Sequence, residues 1–251
     1  MRRRLDSEMV ARGLADTRSE ASRLIEAGLV TVSGAPATKS SRLVAPGEPI
    51  AVVAERRWVG RGAEKLDHAL EVWSIDVRDR CVIDAGSSTG GFTQCLLSRG
   101  AKTVCAVDVG RNQLHEKVRA DPRVVVREQT DVRHLDVSDL PFACSLLVAD
   151  LSFISLVTVM SKLVGLVTPE PGHQRTELVL LVKPQFEVGR REASKTKGVI
   201  RDPALRTAAL AKVEESVEAN GAVVVGTCES PILGAEGNVE YLMHVVVPER
   251  P

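Results

Sequence analysis

The chain has 251 residues, and its 33 Lys and Arg balance 33 Asp and Glu, so the formal net charge is zero. With 44% apolar and 26% charged residues it has the composition of a soluble globular protein, and the 3% aromatic content leaves the core to Val, Leu, Ile and Ala. No apolar run reaches the roughly 18 residues of a membrane-spanning helix, and no apolar stretch follows Met-Arg-Arg-Arg as a secretory signal would require. The five cysteines are odd in number, widely spaced and without a C-x-x-C, which reads as reduced core thiols in a cytoplasmic protein. The five histidines lack metal-ligand spacing, so no metal is expected.

This length allows one or two domains. Residues 1–59 hold ten Lys/Arg against seven Asp/Glu, which marks a basic amino-terminal module. Leu5 to Gly13 reads as a short helix with Leu5, Met9 and Val10 on one face. Thr17 followed by Glu20 is a capping box, and Ala21, Leu24 and Ile25 give the next helix its apolar face, up to Gly28. Leu29–Pro36 alternates and then turns, as a hairpin does, and Gly47–Val53 supplies a further strand. Arg4, Arg12, Arg18, Arg23, Lys39 and Arg42 punctuate this module; scattered arginines of this kind are most simply a solvated surface.

The order of elements, with Gly28-Leu-Val-Thr-Val-Ser-Gly34 at the strand and turn, resembles the S4 RNA-binding domain over residues 4–53. The resemblance implies contacts to the phosphates and shape of structured RNA, with Arg4, Arg18 and Lys39 as contact residues. Residues 1–54 are expected to form this domain and 55–62 a linker, in which Arg57 and Arg61 extend the positive path. From Ala63 the residues Leu66, Ala69, Leu70 and Trp73 recur at helical spacing, with Lys65 beside the stripe, where a surface lysine is the plainest reading.

From Cys81 onward strands and helices alternate. Strands are expected at 82–85, 103–107, 124–126, 146–149, 177–182, 222–227 and 240–247, and helices at 92–98, 113–119, 156–166 and 203–220. Such alternation predicts a parallel sheet with right-handed crossovers. The last two strands, joined by a loop alone, must run antiparallel.

The first strand ends in Asp84-Ala-Gly-Ser-Ser-Thr-Gly-Gly-Phe92, a turn that presents backbone N–H groups at a helix N-terminus. It lacks the middle glycine of the dinucleotide fingerprint, since position 88 is serine. An acid at Asp84 would repel a pyrophosphate and suits a ligand with cationic groups, such as the ammonium and sulfonium of S-adenosylmethionine. The other strand ends carry Asp108, Asp131, Asp150 and Lys183, at the edge where open parallel sheets bind ligands. Asp108, 24 residues beyond Asp84, stands where an acid binds a ribose diol, and Asp131 where it could meet an adenine amino group.

Asp84–Thr93, Asp150-Leu-Ser-Phe-Ile-Ser155, Lys183-Pro-Gln-Phe-Glu-Val-Gly189 and Gly237-Asn-Val-Glu-Tyr241 resemble the TlyA family, which comprises S4-domain, FtsJ-like ribosomal RNA 2′-O-methyltransferases also labelled hemolysins. The resemblance implies a Rossmann-like class I methyltransferase domain over residues 63–251, with a seven-stranded, mostly parallel sheet whose last strand is antiparallel. It implies a Lys65-Asp150-Lys183-Glu240 tetrad that methylates cytidine riboses in ribosomal subunits. It places S-adenosylmethionine against Asp84, Gly86, Ser87, Ser88, Thr89, Gly90, Gly91, Phe92, Asp108, Val109, Asp131, Asp150 and Phe153. Arg133 would face the same edge and touch RNA.

A 2′-hydroxyl is a poor nucleophile that needs alignment and a base. Lys183 is the expected base, Lys65 would orient the hydroxyl and make Lys183 easier to deprotonate, and the two carboxylates would position the lysines. Arg111 stands where many members carry an aromatic, Asp131 where Asn is frequent, and Arg190–Gly198 is basic where glycines are usual; the last reads either as an RNA-facing lid or as a solvated loop. A non-catalytic ribosome-binding factor and a membrane-active hemolysin are the alternative readings. The partners expected are ribosomal RNA and subunits, with no membrane, and the chain is expected to be a monomer.

Overall fold

The structure, a computed structural model, describes residues 2–53, 58–189 and 198–248. It divides into two compact units, Met1–Arg57 and Trp58–Pro251.

In the first unit a short strand β1 (Arg3–Arg4) leads into helix α1 (Leu5–Ala11), and α2 (Arg18–Glu26) follows. The helix expected up to Gly13 stops at Ala11, because Gly13 adopts φ +68° and turns the chain. Thr17 caps α2 by accepting from Glu20 N, and the Glu20 carboxylate accepts from Asp16 N. Strands β2 (Val30–Val32), β3 (Ala35–Pro36) and β5 (Ile50–Val52) form an antiparallel sheet, while β4 (Leu43–Val44) pairs with β1. Leu5, Met9, Ala21, Ile25, Val30, Val32 and Val44 close a small core.

The second unit opens with Trp58–Arg61, where Val59 N donates to Gln94 Oε1 at 2.6 Å, and continues into α3 (Gly62–Val72). Glu55–Arg57 of the expected linker lie outside the described residues. Seven strands follow: β6 (Cys81–Ala85), β7 (Thr103–Val107), β8 (Val124–Arg127), β9 (Leu146–Ala149), β10 (Thr176–Val182), β11 (Val223–Glu229) and β12 (Tyr241–Val247). Their order across the sheet is β11-β12-β10-β9-β6-β7-β8, with β12 antiparallel to both neighbours.

The strands alternate their side chains between two helical layers. Val82, Val104, Leu146, Val148 and Leu181 face α3 and α4 (Gly91–Ser98). Ile83, Leu147, Leu178 and Leu180 face α6 (Leu156–Leu166) and α8 (Pro203–Ala219). A sheet covered on both faces needs apolar residues on both, which is why every residue of β10 is buried. The short helices α5 (Glu116–Arg119) and α7 (Pro184–Glu187) complete the set. The helix expected over 113–119 is only its last turn, because the Glu128 carboxylate takes the N–H groups of Asn112, Gln113 and Leu114. Burial pushes the Cys95 thiol up to about 12, in keeping with a core residue.

Candidate active site

The strand order reverses between β6 and β9, and the polar residues gather beyond the carboxyl ends of these strands. The turn after β6 is locked: Gly86 N and Ser87 N donate to Val107 O, and Gly90 N to Ser87 O. Gly86 sits at φ +84°, where an added Cβ would stand 2.5 Å from Asp150 O, so only glycine lets the Asp150 loop pass this close. Ser88 N donates to Asp108 Oδ2 at 2.8 Å and Gly110 N to Asp108 Oδ1 at 2.7 Å, which fixes that carboxylate at the edge.

A cavity of about 490 Å³ opens over this turn, bounded by Gly86, Ser88, Asp108, Val109, Asp131 and Asp150, with Phe153 on its rim. Phe153 is 93% exposed and holds φ +65°, a strained conformation for an aromatic residue. Not every residue expected at the cofactor faces this space. Asp84 is fully buried behind the turn, where Thr93 Oγ1 donates to its Oδ2 at 2.5 Å and Oδ1 lacks a partner among the described residues. Burial, with Asp150 and Asp108 adding repulsion against the Thr93 hydrogen bond, pushes Asp84 up to about 7. Phe92 is 3% exposed and belongs to the α3–α4 core. Gly90 and Gly91 let Leu114, Val118 and Gly60 approach the backbone, Thr89 O accepts from His115 N, and none of the three lines this cavity.

The four residues of the expected tetrad meet as two ion pairs. Lys65 Nζ donates to Glu240 Oε2 at 2.5 Å, with both side chains buried. This replaces the surface reading of Lys65. Lys183 Nζ lies 2.7 Å from Asp150 Oδ1, in ionic contact but without hydrogen-bond alignment, and donates to Ser152 Oγ at 2.8 Å. A Cβ on Gly62, one turn before Lys65, would stand 3.5 Å from Asp150 Oδ2, and one on Gly234 would overlap Glu240 Oε1. Gly234 therefore keeps room for the Glu240 carboxylate, whereas the distance at Gly62 is an ordinary contact. All four residues line a second cavity of about 880 Å³, which shares Asp150, Ser152, Phe153 and Ile154 with the first.

Three further residues organise the site. Ser152 holds Lys183, as above. Glu187 accepts from Ser155 Oγ at 2.5 Å and Leu156 N at 2.8 Å, and so caps α6 from across the site. Asn238 joins Ile200 N and Gly198 O, which ties that segment to the Glu240 loop. Each lies inside a quoted motif, but only distances reveal its partner.

The residues expected at RNA are distributed. Arg4 and Arg18 both reach Asp6, and Lys39 is exposed. Arg61 lines the larger cavity and donates to Leu233 O at 3.1 Å. Arg133 clasps Asp131 through Nε and Nη2, and this fork holds the Asp131 carboxyl down at about 2. Arg133 thus forms part of the smaller cavity's wall. Arg57 and the basic segment 190–197 lie outside the described residues.

Residues 58–246 match the FtsJ-like methyltransferase model, and residues 3–50 match the S4 domain model. A Mycobacterium tuberculosis protein named 16S/23S rRNA (cytidine-2′-O)-methyltransferase TlyA is 46% identical over 96% of this chain and 89% of its own length. The chain belongs to the TlyA family of FtsJ-like methyltransferases. Another family member, Hemolysin A of Brachyspira hyodysenteriae, is 38% identical over 97% of this chain and 100% of its own. A solved Streptococcus thermophilus structure with a provisional hemolysin name superposes with a TM-score of 0.74 at 37% identity, covering 100% of this chain and 90% of that one. The described residues of this TlyA-family chain include no helix long and apolar enough to cross a membrane.

Proposed function

We propose that this chain is an S-adenosylmethionine-dependent methyltransferase that modifies the 2′-hydroxyl of cytidine in ribosomal RNA, within ribosomal subunits in the cytoplasm. The observation that carries this is the shared wall. Two cavities of about 490 and 880 Å³, within the range of ligand sites, meet at Asp150–Ile154, and the paired lysines stand on the larger side. One cavity suits a methyl donor and the other an incoming ribose.

The smaller cavity fits the cofactor on features of its own. Gly86 leaves a cradle that a side chain would fill, the Asp108 carboxylate is held at the edge where the hydroxyls of a ribose diol would donate to it, and Asp84 keeps a buried oxygen behind the turn without a partner among the described residues. Once bound, S-adenosylmethionine supplies an electrophilic methyl carbon on a sulfonium.

The protein's part is alignment and proton transfer. Acting as base, Lys183 would take the hydroxyl proton as the oxygen bonds to the methyl carbon and the carbon–sulfur bond breaks, the sulfur leaving as a neutral thioether. The resulting ammonium is received by Asp150 Oδ1 and Ser152 Oγ, already 2.7 and 2.8 Å away. Lys65, anchored by Glu240, donates to the ribose oxygens and orients them. None of these roles requires a metal. The S4 unit supplies phosphate contacts, and the family names of the relatives support ribosomal RNA as the polyanion.

Purified protein incubated with methyl-labelled S-adenosylmethionine should label separate ribosomal subunits, and the label should map to a cytidine 2′-oxygen. Comparing naked rRNA, each subunit and whole ribosomes identifies the assembly state. Cofactor binding without label in any of these would leave a non-catalytic ribosome-binding factor as the reading.

A further inference from the structure

In the first unit one carboxylate organises two arginines. Asp6 is 3% exposed, and its Oδ1 and Oδ2 accept from Arg4 Nε at 3.1 Å and Arg4 Nη2 at 2.9 Å. The same Oδ2 accepts from Arg18 Nη2 at 2.9 Å, across twelve residues of sequence. Asp6 is itself fixed, since Ser7 N donates to its Oδ1 at 2.8 Å and its own N–H donates to Ser40 O. The two arginines hold the Asp6 carboxyl well below the usual carboxylate range, Arg4 most strongly, against the cost of burial.

Both arginine side chains remain open to solvent, 46% for Arg4 and 60% for Arg18. Among the described residues Arg4 commits two of its five N–H donors to Asp6, and Arg18 one. Two cations meet one anion, so the cluster keeps a positive charge. Their planar forks are held side by side with donors to spare. A phosphate oxygen pair is what such donors recognise.

We infer that Arg4, Asp6 and Arg18 form a preorganised clamp for a backbone phosphate of structured RNA, in which Asp6 acts as a positioning residue for the two arginines. The inference rests on the reading that the S4 unit meets ribosomal RNA, and it deepens that reading. It also opposes simple Coulomb reasoning. Removing Asp6 raises the positive charge of the module, which on charge alone should tighten binding to a polyanion. If the arginines must instead be ordered at binding, each immobilised side chain costs affinity, and the loss for two is roughly tenfold.

The test measures binding of the full chain to isolated ribosomal subunits across a salt series, with cofactor affinity as a control. Asp6→Asn should bind about tenfold more weakly with an unchanged salt slope, because both cations are still present. Arg18→Ala should weaken binding and flatten the slope by about one phosphate contact. Arg18→Lys, on an exposed side chain that cannot unfold the module, should keep the slope and lose affinity several-fold, roughly the cost of ordering one side chain. Asp6→Asn binding as tightly as wild type, or more tightly, would overturn the clamp, and so would Arg18→Lys behaving as wild type. Should wild type itself fail to bind subunits in a salt-dependent way, the RNA reading of the S4 unit falls, and the clamp with it.

Discussion

At the amino ends of the parallel strands the charged group is an arginine, and at the carboxyl ends it is a lysine. Arg80 donates to Ser145 Oγ, Ser145 O, Glu177 and the carbonyls of Asp76 and Arg175, while Glu177 also meets His244. Lys183 meets Asp150 and Ser152, and Lys65 meets Glu240 alone among the described residues. Both edges bury their ions, so burial does not separate structure from chemistry. Saturation and residue type do. A guanidinium with all its directions used keeps its proton and holds strands together. An ammonium with donors to spare can exchange a proton with a substrate.

Exchanging the two cations breaks the comparison most sharply. Lys183→Ala should cut methyl transfer by about 10²–10⁴-fold, the range of a general base, with cofactor affinity retained. Lys183→Arg should be equally inactive, since a guanidinium does not give up its proton. Single-turnover transfer to subunits measures this, and a wild-type rate in either variant removes Lys183 as the base.

At the opposite edge, Arg80→Ala leaves Glu177 buried with only Arg175 and His244. Breaking a buried pair costs about 3–5 kcal/mol, and the remaining partners favour the lower end. Chemical unfolding followed by tryptophan fluorescence isolates this unit, because both tryptophans, Trp58 and Trp73, lie in it. The folded variant should still bind cofactor normally. A change in transfer rate without a loss of stability would mean the two edges are coupled.

Glu187 lies between the extremes, because it is structural in its bonds and sits beside the chemistry. It locks the loop that carries Asp150, Ser152 and Phe153 to the segment after Lys183, where Phe186 also meets Phe153 at 5.5 Å between ring centroids. Glu187→Ala removes a helix cap worth about 1 kcal/mol, but by loosening that loop it should slow transfer by roughly 10–100-fold. Glu187→Gln, which keeps an acceptor for Leu156 N, should recover most of the rate. Equal stability loss with an unchanged rate would make it a cap and nothing more.

Most of the sheet was legible because its strands are short apolar runs that end in polar residues and alternate with helical patterns. Asp150 and Lys183 were legible as polar strand ends, but Lys65 and Glu240, and the grouping of all four, came only through resemblance. Lys65 lies beside an apolar stripe that looks like any amphipathic helix, and its burial depends on Glu240, 175 residues away. Asp84 is the opposite case, a residue whose burial the sequence did not show. An acid at a glycine turn reads as a ligand contact, yet the turn folds over it and hides it, because Thr93 offers its carboxylate a hydroxyl from inside α4. Nor could sequence pattern show that Glu128 would dissolve the first turn of the expected 113–119 helix.

The pH dependence of the two edges gives the finest test. Burial pushes Glu177 up, but its bonds to His244 and Arg80 outweigh this and hold it down at about 2. Its stabilisation is therefore complete above its ordinary value of 4.5 and fades as pH falls toward 2. Asp84 has the opposite sign. Raised from 3.8 to about 7, it favours the folded state fully below 3.8, and that contribution is lost as pH rises through about 7. Between these values wild type should lose stability relative to Asp84→Asn as pH increases, by tryptophan-monitored unfolding. A cationic ligand in front of the turn favours the charged carboxylate, so cofactor affinity should climb with pH over the same window in wild type and stay level in the variant. Parallel profiles for the two proteins would show that Asp84 does not titrate there, and the charge behind the turn would have no part in holding the ligand.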